Sequence, residues 1–276
     1  TARPFHEFQR NCFVKSALKH GMFGRPRLHN AIIRGEPLSM IKFFLQIGFD
    51  PNIKNEEGLT ALHLALSPRN KDLICLLMEW NADPLIPNPK SQVPLFDTLD
   101  PWRVDEKLFW TLFRPFDVNR ICLGKTVLFA AIQSRRLKYV RKVLEYGADP
   151  NIHGYGGITP MHCAIYNIPC LKLLIEFGGN LEVEDEDGET PLMNALYDAG
   201  FSSVGYILEQ GAIPRFQNKR GQSFLLYALY RIKVKEVEFL KRYGVDFSII
   251  ICDDEGKTLY NFACLHGRTD LLPYLI

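Results

Sequence analysis

The sequence predicts an all-α solenoid of stacked helix–turn–helix units, and three regularities predict it. A six-residue pattern recurs eight times: PRLHNA from Pro26, TALHLA from Thr60, VPLFDT from Val93, TVLFAA from Thr126, TPMHCA from Thr159, TPLMNA from Thr190, SFLLYA from Ser223 and TLYNFA from Thr258. Successive starts lie 34, 33, 33, 33, 31, 33 and 35 residues apart, the period of a repeat array. A glycine stands two residues before all but one start, at Gly24, Gly58, Gly124, Gly157, Gly188, Gly221 and Gly256. A second pattern closes most units: GFDPN from Gly48, NADP from Asn81, GADPN from Gly147, GAIP from Gly211 and GVDF from Gly244.

The elements follow in chain order. Residues 1–21 lack the repeat pattern, and the stretch from Pro4 to Gly21 reads as an amphipathic helix that caps the first repeat. The repeat domain then covers 22–276. Each unit holds two short helix-period stretches. In LKYVRKVLEYG, residues 137–147, Leu137, Val140, Val143 and Leu144 share one face, and Gly147 stops the helix. The third repeat is degenerate. It lacks the Thr, the His and the glycine before Asp117, and it carries Pro101 with Trp102, Phe109, Trp110 and Phe113, large rings that either fill its packing or change the stack's curvature and make a contact of their own. The fifth repeat is two residues short, so YNIPC, residues 166–170, makes a tight turn with Pro169 near the next helix start. The eighth repeat is terminal or truncated: TDLLPYLI leaves Leu271, Leu272, Leu275 and Ile276 apolar where terminal units usually turn polar. The chain opens at Thr1 rather than Met, which points to a fragment or a processed form.

These motifs resemble the ankyrin repeat, a unit of about 33 residues with a T-P-L-H-x-A signature. The resemblance runs over about eight repeats. It implies a right-handed solenoid whose helix–turn–helix units are joined by β-hairpin fingers, neighbours sharing one core. It also implies that His29, His63 and His162 bond the backbone and the Thr hydroxyl rather than a metal. Stacked helices sit about 8–10 Å apart, so histidines in separate repeats do not share an ion with ligands near ~2 Å. His6, His20, His153 and His266 have no partner at ligand spacing. There is no GxSxG elbow, no GxxxxGK[ST] loop and no HExxH helix. Cys163 and Cys264 fall in first helices and read as buried thiols. The expectation is therefore no active site, no cofactor and no metal.

Composition narrows the partners. With 47% hydrophobic and 23% charged residues the chain has the balance of a core-forming protein, and its formal charge of +2 offers no broad attraction for nucleic acid. No apolar run reaches membrane-spanning length. Seven scattered cysteines without a CxxC pair suit a reducing cytoplasmic or nuclear setting. The family resemblance implies binding of a protein or peptide on the concave side, through finger tips and the residue two places after the motif alanine. That residue is Ile33, Ser67, Gln133, Tyr166, Tyr197 and Tyr230 in repeats one, two, four, five, six and seven. The candidate site is the row Tyr166, Tyr197 and Tyr230, extended by Tyr155, tyrosine being enriched in interface hot spots; the alternative is that these rings pack on one another or on the next finger. Beside it stands an acidic finger with Glu182, Glu184, Asp185, Glu186, Asp187 and Glu189, followed by basic Arg215, Lys219, Arg220, Arg231 and Lys233. Such a surface calls for a partner with a basic segment, not a small-molecule substrate. An aromatic cage for methylated lysine is a narrower alternative, weakened because Trp80, Trp102 and Trp110 all lie in other repeats. Substrate recognition for a ubiquitin ligase, masking of a signalling protein, and targeting of an enzyme domain outside the chain are the three settings expected.

Overall fold

The computed structural model describes residues 27–66, 70–99, 106–215, 217–219, 225, 232–245, 247 and 258–275. The expected capping helix at 1–21 lies outside the described residues. The chain forms two compact units that meet at Leu123 and Gly124 in sequence.

In the first unit, paired helices follow the repeat register. The helices are α1 (Arg27–Ile33), α2 (Leu38–Gln46), α3 (Ala61–Ala65), α4 (Lys71–Glu79), α5 (Pro94–Asp97) and α6 (Glu106–Leu112). First helices pack on first helices, α1 against α3, and second helices on second helices, α2 against α4 and α4 against α6. The shared core holds Leu28, Ile41, Leu45, Leu62, Ile74 and Leu77. The third repeat keeps this plan with larger side chains. Phe109 is fully buried, stacked on Phe113 and edge-on to Trp110, so the rings occupy core volume as the sequence suggested. Its second helix lacks a closing glycine and ends instead in the turn Pro115–Asp117, while Arg114 Nη2 donates to the carbonyl of Met78 in the preceding repeat.

The second unit contains α7 (Val127–Gln133), α8 (Leu137–Glu145), α9 (Pro160–Ala164), α10 (Ile168–Glu176), α11 (Pro191–Asn194), α12 (Phe201–Glu209), α13 (Val234–Arg242) and α14 (Leu259–Leu265). Here too α7 packs on α9 and α9 on α11, with α8 on α10 behind them. The face read in 137–147 needs one correction. Val140, Val143 and Leu144 are buried, but Leu137 is exposed and Tyr139 takes its place in the core, because the buried stripe is centred between positions 140 and 143. The short fifth repeat turns as expected, with Asn167 Oδ1 accepting from the Cys170 amide at the start of α10. The Ile165 carbonyl in this clipped turn accepts a hydrogen bond from Ser203 Oγ of the next repeat. In the sixth repeat α11 runs on into a π-helical turn, Ala195–Ala199, an extra residue being absorbed before Gly200. The last helix-period stretch folds as a 3₁₀ helix, Thr269–Tyr274, since Pro273 lacks the amide an α-helix interior needs. Its Leu271 and Leu275 are buried. Cys264, expected inside, is exposed on α14.

Adjacent repeats are also tied by asparagines of the closing pattern. Asn52 Oδ1 accepts from the Asp83 amide at 2.7 Å and its Nδ2 donates to Asn81 O, and Asn151 makes the same pair with Asn180 and Gly178. Among the described residues no helix is long and apolar enough to cross a membrane, and no cluster of metal-ligating side chains occurs.

Candidate functional site

The motif threonine and histidine form a clamp between neighbouring repeats. In repeat five the Thr159 amide donates to His162 Nδ1 at 3.2 Å, and Thr159 Oγ1 lies 2.9 Å from the same nitrogen. That leaves Nε2 protonated, donating to the Glu189 carbonyl of the next finger at 3.0 Å. Thr60 and His63 repeat the arrangement, with His63 Nε2 directed at Gln92 O. His29 reaches Leu59 O at 3.0 Å. Burial is the main cause holding the pKa of all three imidazoles below the ordinary value. The histidines are therefore spent on structure. Burial likewise pushes the Cys163 thiol up to about 11 and the Cys170 thiol up to about 12, so neither is a thiolate at neutral pH.

The fingers are tight hairpin turns with one recurring design. Asn55, Asn88 and Asp185, each five residues before a motif start, accept two backbone amides on Oδ1: Glu57 and Leu59, Lys90 and Gln92, Asp187 and Glu189. The residue three places further on has positive φ. It is glycine at Gly58, Gly157 and Gly188, and Ser91 in the third repeat. Among the described residues of the second unit, three fingers lean on the one before through a backbone bond. The Tyr155 amide donates to Gly124 O, that of Glu186 to Gly156 O and that of Lys219 to Asp187 O. This approach is so close that a Cβ on Gly157 would lie 2.6 Å from Glu186 N.

Against this frame the expected site residues separate. Tyr155 begins the turn Tyr155–Gly157 and is 87% exposed, Tyr166 lies between α9 and α10 and is 62% exposed, and Tyr197 lies in the π-helical turn and is 47% exposed. Ile33 and Gln133, in the same register as Tyr166, are exposed as well, so this position faces solvent in both units. Tyr230 and Arg231 lie outside the described residues, as does Arg220. The acidic finger is less available than its sequence suggested. Glu184 pairs with Lys219 Nζ at 2.8 Å, and that bond holds its carboxyl below the usual range. Asp185 is occupied by the turn, Glu182 accepts from the Ile213 amide, and Glu189 accepts weakly from Asn218. Glu186 is exposed, and Asp187 is half-buried. Sequence reasoning missed two members of this surface. Ile158 is partly exposed beside Tyr155, and Lys125 Nζ donates to Gln133 Oε1 at 3.3 Å. Both immediately precede a motif threonine, which is the signal that points to them.

Comparison with known proteins follows the same lines. A family model described as ankyrin repeats (many copies) matches residues 28–78. Human ankyrin repeat and SOCS box protein 16 is 29% identical over 71% of this chain and 46% of its own length. E3 ubiquitin-protein ligase KEG of Arabidopsis thaliana is 24% identical over 90% of this chain and 16% of its own length. The chain spans less than half the length of these curated relatives. Among solved structures, the ankyrin repeat domain of Bcl-3 superposes with a TM-score of 0.60 at 22% identity, covering 78% of this chain and 97% of that domain. The recurring pattern, the helix pairs and these likenesses agree: the chain is an ankyrin-repeat protein.

Proposed function

We propose that the chain is a non-enzymatic scaffold that binds a partner protein or peptide on the finger-and-first-helix surface of its second unit. One observation carries the reading: Tyr155, Tyr166 and Tyr197 present large rings to solvent from successive repeats of a packed stack. Such rings give wide contact at low entropic cost and are enriched among residues that dominate binding energy. A surface already ordered by its own hydrogen bonds spends little of the interaction energy on ordering itself. Tyr230 and Arg231 extend the row by register, and exposed Glu186 favours a basic segment in the partner. Likeness to a SOCS box protein and to a ubiquitin ligase supports a setting in which the chain recognises a ligase substrate. Masking of a signalling protein is the alternative. The described cysteines Cys75, Cys122, Cys163, Cys170 and Cys264 are free thiols, which suits the cytoplasm or nucleus.

The test is affinity purification with mass spectrometry. The wild-type chain is compared with one carrying Tyr155→Ala, Tyr166→Ala and Tyr197→Ala, after circular dichroism melts establish that both fold alike. The expected result is a partner that vanishes with the tyrosines. A partner retained in full by the triple variant would move the site elsewhere.

A further inference from the structure

We infer that this surface reads the direction of charge as well as shape: it takes an extended peptide segment whose acidic residue meets Lys125 and whose basic residue meets Glu186, with an apolar centre between them. The inference rests on the tyrosine reading above and goes beyond it by fixing the partner's polarity.

At one end, Lys125 holds a neutral amide, Gln133, and among the described residues no carboxylate pairs with it. Gln133 stands one repeat before Tyr166 in the same register, so the ammonium lies at the start of the tyrosine row. Arg135 and Arg136, both exposed just past Gln133, continue the positive sign. In the middle, α7, α9 and α11 contain no Asp, Glu, Lys or Arg at all, so the layer under the tyrosines is uncharged. Tyr155, Ile158 and Tyr166 supply its apolar contacts, and Tyr197 stands in the same repeat as the far end. At the other end Glu186 projects from its finger, while its neighbour Glu184 is already matched by Lys219. A positive end, a neutral aromatic stretch and a negative end thus follow one another over two repeat steps.

Selection from a displayed library of random linear peptides on the immobilised chain tests this. The expected peptides carry an apolar or aromatic centre, with Asp or Glu on one side of it and Lys or Arg on the other. Against Lys125→Glu the same peptides bind about tenfold more weakly, and a fresh selection loses the acidic residue. Tyr166→Ala with Tyr197→Ala abolishes binding of both sets. Peptides that need the tyrosines but show no separated charges, or that bind wild type and Lys125→Glu alike, overturn the polarity and leave the tyrosine reading standing. Failure to enrich any peptide overturns the inference, while the tyrosine reading stands or falls with the affinity purification above. Thermal melts of each variant confirm that folding is unchanged.

Discussion

At the residue scale, the clamp between Thr and His is instructive where one half is missing. The first repeat has His29 but Pro26 in place of threonine, and His29 Nδ1 is buried without a hydrogen-bond partner. The fourth has Thr126 but Phe129 in place of histidine, and there Thr126 Oγ1 is the unpartnered atom. Across the interface, Gly154 stands at the position that Asn55, Asn88 and Asp185 hold in their fingers, and a Cβ there would strike Gly124 O and lie 3.1 Å from the Phe129 ring. Each clamp histidine is held neutral, chiefly by burial, and its Nδ1 faces a donor in repeats two and five. The unfolded chain takes up protons below about pH 6.5 that the folded chain refuses, so stability is complete above that pH and lost as pH falls through it. For the enclosed rings of His29 and His162 the limiting slope is about 1.4 kcal/mol per pH unit each. Urea midpoints measured from pH 7.5 to 5.5 should fall steadily, and a flat profile would contradict neutral clamps. Ser91 offers a second test. It adopts φ +59° where other fingers place glycine, so Ser91→Gly should raise stability by about 1 kcal/mol in denaturant titration.

At the scale of the element, the finger decides more than the helices do. Helix positions were legible because the pattern repeats with a fixed period, and the positions two after the motif alanine proved exposed at Ile33, Gln133, Tyr166 and Tyr197. The state of the acidic finger was not legible from charge alone. Asp185 looks like a free carboxylate in sequence, yet it does the work of Asn55 and Asn88, and only their shared register betrays it. Glu184 was spent on a lysine 35 residues away, a pairing that depends on how one finger lies on the next. Two glycines separate these effects. Gly157 and Gly147 both have positive φ, but a Cβ on Gly157 would strike the next finger while one on Gly147 meets nothing within 4 Å. Gly147→Ala should therefore cost about 1 kcal/mol for its backbone alone. Gly157→Ala should cost about 3 kcal/mol, backbone strain and overpacking together. Chemical denaturation measures both, and amide exchange at Glu186 should accelerate in Gly157→Ala only.

For the whole molecule, a formal charge of +2 hides local asymmetry. Within the second unit, basic residues around α7 and α8 and an exposed glutamate on the 182–189 finger set up a field that guides a partner before contact. Association with the partner captured through the tyrosines should slow by about tenfold between low and high salt, as steering is screened within a Debye length of about 10 Å at 0.1 M. Dissociation, governed by the aromatic contacts, should change far less; surface plasmon resonance at several salt concentrations separates the two. An equal effect on both rates would assign the charges to the bound complex rather than to the approach. The finger-to-finger bonds carry a wider meaning. Tyr155, Glu186 and Lys219 engage the preceding finger with their backbone amides, which every residue but proline can supply. At these three positions the main chain is held while the side chain is free: evolution can rewrite what the finger tips say around a fixed grammar of turn glycines and Asn or Asp.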